Sequence, residues 1–195
     1  MSEPSITKST ETSREYNGVH RITMEGSVLP AARITRPAHA EGLKTNYFGT
    51  EFRLGYEPWL FFRKQVHFRG KWSWDVGYSY IGGDEGNLGS KRHQGSLLTG
   101  WKQHLSYFYL HPRIGVGIAR NRLNFGEGFA PQTNHSLNGI LQLVGGIEFC
   151  KDQRVCFAVF GGYAMEKTLS GGPKHIARTG IGGIRLGVDL GVRKR

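Results

Sequence analysis

The sequence predicts an all-β protein, an eight-stranded antiparallel transmembrane β-barrel behind a polar N-terminal extension. Three observations predict it. Several runs of about ten residues alternate between apolar and other side chains; this marks a strand with two unlike faces and matches the length of a tilted membrane-spanning strand. The face opposite the apolar one is mostly glycine with isolated charges. Connections alternate between long and short, as in barrels with short turns at one membrane surface and long loops at the other.

Residues 1–41 are polar, with serine, threonine, charge and three prolines. They are expected to form a partly disordered extension, with disorder over Met1 to Tyr16. Within it, Val19 to Leu29 is expected to form a short strand or to lie across the barrel mouth. The barrel is expected over 42–195. Asn46 to Tyr56 is its first clear strand: Phe48, Phe52, Leu54 and Tyr56 alternate with Gly49, Glu51, Arg53 and Gly55. Trp59 to Phe68 reads as a less regular second strand and 69–71 as a turn. Trp72 to Ile81 is the most regular, with Trp72, Trp74, Val76, Tyr78 and Tyr80 on one face and Ser73, Asp75, Gly77 and Ser79 on the other. Strands are predicted next at 95–106, carrying Leu97, Trp101 and Leu105, and at 107–120, where Leu110, Ile114, Val116 and Ile118 oppose Gly115, Gly117 and Ala119. The last three strands are Leu137 to Phe149, Val155 to Met165 and Gly183 to Val192. Long loops are expected near 82–94, 121–135 and 167–176, and short turns near 106–107 and 151–154.

The direction of the faces decides the class. A soluble core behind the apolar face would leave the other face in water, where long polar side chains belong. Glycine interspersed with charge suits the crowded lumen of a narrow closed barrel instead, and a continuous aliphatic and aromatic face suits lipid. The bulky aromatics of Trp72 to Tyr80 would overfill a small interior and fit interfacial girdles. The lumen candidates are Glu51, Arg53, Asp75, Glu148, Arg185 and Asp189, with Arg185 expected to pair with Asp189 or Glu148 because buried charges need partners.

Glycine is 29 of 195 residues and aromatic residues are 12%, a share that fits a barrel. No run of about eighteen apolar residues exists, so no transmembrane helix is predicted. The formal net charge is +11. The basic residues are spread along the chain without a nucleic-acid signature, so nucleic acid is not an expected partner. Lipopolysaccharide phosphates are an expected target for part of this charge; the alternative is ordinary solvated loops. The chain opens Met1-Ser-Glu-Pro without a basic-then-apolar start, so an outer-membrane location implies an export signal that has been removed.

Cys150 and Cys156 flank a short turn and fall opposite one another. A cross-strand disulfide and a pair of buried free thiols both fit this spacing. No metal site is expected, since no histidine or second cysteine pair has ligand spacing nearby, and no cofactor is implied. His135-Ser136 places a base beside a nucleophile, but adjacent strand residues point to opposite faces; His135 is expected in a loop.

Several stretches together resemble the lipid A 3-O-deacylase-like (acyloxyacyl hydrolase) barrels of Gram-negative outer membranes. They are Gly26-Ser-Val-Leu-Pro30, Phe52-Arg-Leu-Gly-Tyr56, Trp74-Asp-Val-Gly-Tyr-Ser-Tyr80, Gly86-Asn-Leu-Gly89, Pro112-Arg-Ile-Gly-Val-Gly117 and His135-Ser-Leu-Asn-Gly139. Their order and spacing, from Gly26 to Val192, carry the resemblance. It implies a barrel in the outer membrane and a catalytic signature resembling His-x-Ser-Asn-Gly. Set on Thr168 to Gly172, that signature matches Ser170 and Gly172, with Thr168 at the histidine position and Gly171 at the asparagine position. No carboxylate stands between Arg178 and Ile184 where the family has an acid. Without an imidazole the serine has no proton acceptor.

The expected role is therefore a small, non-catalytic outer-membrane barrel with a structural, lipid-binding or partner-binding function. Its partners would be outer-membrane lipid or lipopolysaccharide, and another envelope protein through the N-terminal extension. The enzyme alternative is a lipid A-modifying acyl hydrolase using Ser170, with His175 folded back as its base. The third alternative is a soluble ligand-binding β-barrel.

Overall fold

The structure is a computed structural model and describes residues 20–35, 47–58, 69–85, 88–105, 107–124, 130–151, 154–171, 174 and 176–190. Eight strands follow one another: β1 (Arg21–Thr35), β2 (Tyr47–Glu57), β3 (Arg69–Glu85), β4 (Leu88–Leu105), β5 (Phe108–Asn124), β6 (Gln132–Lys151), β7 (Val155–Ser170) and β8 (Ile176–Asp189). Each pairs antiparallel with the next, and β1 pairs with β8 to close the barrel. Beyond that ladder, the Leu190 amide donates to the His20 carbonyl at 2.7 Å. β1 begins and β8 ends at one end of the barrel, the terminal end, where β2 also passes to β3, β4 to β5 and β6 to β7; β1 passes to β2, β3 to β4, β5 to β6 and β7 to β8 at the opposite, far end.

The alternation resolves with the apolar side chains outward. Phe52, Leu54, Trp74, Val76, Leu97, Ile114, Val116, Leu141, Leu143, Val159, Ile184 and Leu186 are all exposed, forming a band around the barrel. Their strand neighbours Arg53, Asp75, Leu98, Arg113, Gln142, Ala158 and Arg185 are buried in the lumen. A continuous apolar exterior of this extent is far larger than a soluble monomer exposes and suits hydrocarbon. No described helix is long and apolar enough to cross a membrane; the strands are the spanning elements.

Three expectations are corrected. The barrel starts at Arg21, inside the stretch expected to be an extension, and Arg21–Thr35 is the strand that closes it. Its alternation of Arg21, Thr23, Glu25 and Ser27 with Ile22, Met24 and Val28 breaks at Pro30, which has no amide proton to donate to a ladder; both of its pairings shift register there. The strand expected at 59–68 falls outside the described residues, as does Met1 to Tyr16, and β2 pairs directly with β3. Residues 69–71 open β3, and most of 82–94 is not loop but a continuation of the β3–β4 ladder, paired from Gly82↔Lys91 to Glu85↔Leu88.

Inside, the packing is uneven. One wall carries a small apolar cluster of Leu29, Tyr109, Val144, Ala158, Phe160, Ala164 and Ile181, which alternation alone did not place in the lumen. Elsewhere glycine makes room for charge. A Cβ on Gly55 would lie 2.3 Å from Thr23 Oγ1 and 2.4 Å from Asp75 Oδ1, far inside van der Waals contact, so any larger residue there must displace these side chains.

Candidate functional site

The buried chemistry of this barrel is a column of ion pairs along its lumen. Midway, Arg113 on β5 reaches Glu25 on β1 through two parallel bonds, Nη1 to Oε1 at 2.9 Å and Nη2 to Oε2 at 2.6 Å. This is the fork geometry that makes arginine–carboxylate pairs strong. Arg113 Nε also stands 3.6 Å from Asp75 Oδ2. Toward the terminal end, Arg185 Nη2 donates to Glu57 Oε1 at 2.6 Å. Lys102 and Lys71 approach the same carboxylate at 3.7 and 3.9 Å. Lys102 also bonds Glu148, and Arg21 bridges Glu148 at 2.7 Å and Asp189 at 2.5 Å. Toward the far end, Arg53 pairs with Glu51 and Arg92 with Glu166. Among the described lumen side chains, seven cations (Arg21, Arg53, Lys71, Arg92, Lys102, Arg113, Arg185) thus meet seven anions (Glu25, Glu51, Glu57, Asp75, Glu148, Glu166, Asp189).

Of the lumen residues predicted from sequence, Glu51, Arg53, Asp75, Glu148 and Arg185 are buried and Asp189 is half-buried at the terminal end. The expected pairing of Arg185 is corrected: its carboxylate is Glu57. Asp189 is four residues away on the same strand, about 13 Å at strand rise, and Arg21 holds both Asp189 and Glu148. The prediction omitted Arg21, Lys71, Arg92, Lys102, Arg113, Glu25, Glu57 and Glu166. For Arg113 the signal was present, since the alternation through Ile114 and Val116 places residue 113 inward. For Arg21 and Glu25 it was hidden in a polar segment.

One cluster has the composition of a catalytic triad but the opposite wiring. Ser73 Oγ lies 2.8 Å from His111 Nε2 and 3.1 Å from Asp75 Oδ2. The other ring nitrogen, Nδ1, faces Arg113 Nε at 3.2 Å and Arg185 Nη1 at 3.3 Å. A nitrogen facing two guanidinium donors acts as the acceptor, so Nε2 carries the proton and donates to Ser73, whose hydroxyl donates to Asp75. The imidazole therefore has no free lone pair for the serine proton. This is a relay of structural hydrogen bonds, not a nucleophile with its base.

Ser170 ends β7 at the far end, exposed and paired across the ladder with Leu137. Gly171, which follows, has φ of 71°, a left-handed conformation that favours glycine. His175 lies outside the described residues. His135 belongs to β6 rather than a loop; its side chain is exposed outward while Ser136 is buried inward, receiving bonds from Asn138 at 3.2 Å and Asn121 at 3.4 Å. Cys150 and Cys156 are directly opposed partners joined by a disulfide across the β6–β7 turn. Their Cα atoms are 3.9 Å apart. Together with Glu148 they form the one grouping of possible metal ligands among the described residues, but both sulfurs are committed to the disulfide and Glu148 to Lys102 and Arg21.

No protein-family model matches the sequence, and no curated protein is similar to it. Solved structures are similar in fold. Neisserial surface protein A is 11% identical, with a TM-score of 0.54, covering 87% of this chain and 96% of that one. The attachment invasion locus protein Ail of Yersinia pestis is 14% identical with a TM-score of 0.46, covering 86% and 98%. The outer membrane enzyme PagL is 13% identical with a TM-score of 0.45, covering 85% and 98%. The fold is that of a small eight-stranded outer-membrane β-barrel.

Proposed function

We propose that this protein is a small, non-catalytic barrel of the bacterial outer membrane that acts through its lipid-facing outer surface. The observation that carries this reading is the lumen, which is filled by mutually neutralising ion pairs and an apolar cluster. Among the described residues, the lumen couples no serine to a histidine free to take its proton. Two of the three connections at the terminal end are tight turns at 106–107 and 152–154, as on the periplasmic side of such barrels; the far end then faces outward.

The resemblance to lipid A deacylases does not extend to their chemistry. On β7 the histidine position of the signature is Thr168, buried in the lumen. The signature can also be laid on β6, over His135 to Gly139. There His135 and residue 137 share the outward face, but residue 137 is leucine. In both placements one half of the nucleophile–base couple is missing.

The test is made on protein refolded into micelles. A boiling-dependent gel shift is expected only after folding with detergent. Incubation with lipopolysaccharide is expected to release no acyl chain, with Ser170→Ala indistinguishable from the parent, and planar bilayers are expected to show no steady conductance. Acyl release abolished by Ser170→Ala would establish the hydrolase. A monodisperse folded protein in plain buffer would establish a soluble barrel.

A further inference from the structure

We infer that the outward face at the far end is a binding row for the phosphomonoester groups of an outer-leaflet glycolipid. This deepens the proposed lipid-facing role and rests on it. Seven acidic side chains (Glu25, Glu51, Glu57, Asp75, Glu148, Glu166 and Asp189) face the lumen, where they meet seven cations. These seven cations and seven anions cancel, so the +11 charge of the chain is carried by other residues. Part of it is concentrated on the outer surface at one end.

The register sets out its geometry. Lys91 on β4 and Arg122 on β5 are direct cross-strand partners. One step toward the apolar band, His93, Arg120 and His135 stand in one row across β4, β5 and β6. Lys167 and Arg178 carry the positive face onto β7 and β8. These side chains are exposed, and none forms an ion pair among the described residues. Like charges directly opposite on neighbouring strands destabilise a sheet. Among the described residues the terminal end shows no such row: its outward positions include Trp74, Leu105, Phe108, Leu110, Phe149 and Phe157, with Arg154 on a turn.

Position selects the ligand. Immediately below Arg120 on β5 come Ile118, Val116 and Ile114, the apolar band. Below His135 on β6 come Leu137, Leu141 and Leu143. A cation one or two outward positions above lipid-facing residues sits at headgroup height. There a phosphate is the anion within reach, and guanidinium groups bind phosphate with charge and with paired donors. Tyr78 adds a further feature: its hydroxyl lies 2.6 Å from His93 Nδ1, fixing that ring against the row. A phosphomonoester carries more charge than the phosphodiester of a phospholipid and fits a row of adjacent cations better.

The experiment uses the full chain refolded in zwitterionic, phosphate-free micelles, with its gel shift confirmed, and measures equilibrium binding of fluorescent diphosphoryl lipid A. Binding is expected to be at least about tenfold tighter than to dephosphorylated lipid A, to weaken steeply with salt, and to lose most of that preference in Arg120→Gln/Arg122→Gln. Lys174→Gln, a charge change outside the row, is expected to leave it intact. Equal affinity for the two lipids would overturn the inference, and this arm needs no variant. So would equal affinity for phosphatidylglycerol, or competition by inorganic phosphate at similar concentration. None of these outcomes touches the proposed lack of conductance and acyl release, which are read separately on the same refolded protein.

Discussion

Arg113 on β5 and Glu25 on β1 meet through a two-bond fork across the width of the lumen. They are separated by 88 residues in sequence and by half the circumference of the barrel. The pair ties opposite walls together where no backbone hydrogen bond can.

Breaking that pair is expected to be costly. Glu25→Gln leaves the Arg113 charge short of its partner, and loss of one member of a buried pair typically costs about 3–5 kcal/mol. The denaturant midpoint of the micelle-folded barrel measures it. Replacing both members, as Arg113→Met/Glu25→Leu, is expected to cost less than either single change, because no orphan charge remains. Additive losses would show that the fork is not the coupling element.

Gly55→Val is expected to destabilise by about 1–3 kcal/mol, the range for overpacking, because its Cβ overlaps Thr23 and Asp75. Gly95→Ala is the control: its Cβ meets nothing within 4 Å, and the same unfolding assay should move by less than about 0.5 kcal/mol.

The inside-out arrangement predicts a depth profile. Leu141→Arg, in the middle of the outward band, is expected to cost about 2–4 kcal/mol in unfolding from phospholipid vesicles, while Leu190→Arg, just past the end of β8, should cost about 0–1 kcal/mol. Equal costs would contradict a membrane-embedded band.

Cys150→Ser/Cys156→Ser is expected to lower stability by roughly 2 kcal/mol, the loop-closure contribution of so short a ring. The variant should still fold, since the β6–β7 ladder continues from Lys151↔Val155 to Leu137↔Ser170. Unfolding curves with and without reductant measure both statements.

The outer surface was legible in the sequence because period-two alternation is a local property. Phe52 and Leu54, Trp74 and Val76, Ile184 and Leu186 announce their face without knowledge of any neighbour. The wiring of the lumen was not legible. That Arg185 finds Glu57 rather than Asp189 depends on the stagger between strands around a closed ring, which no single strand encodes. The first strand was overlooked for a different reason. Its alternation is carried by Ile22, Met24 and Val28 against four polar residues, so its mean hydropathy resembles a tail. The disulfide stood halfway: its spacing, even with the two cysteines opposed, admitted both bonded and free thiols, and the structure shows the bond.

The junction of β1 with β8 bears on the order of assembly. Arg21 and Asp189 are 168 residues apart, so of the eight strands the first in sequence is the one whose second neighbour comes last. Seven of the eight strand pairs can zip as hairpins with sequence neighbours, at little loop-closure cost. The eighth must wait for the whole sheet to curl, and until then both edges remain open to any other strand. Ring closure is therefore the slow, non-local step expected of such a topology. The Arg21–Asp189 ion pair lies on that last seam, and a chain without β1 or β8 would lack the ladder that closes the ring.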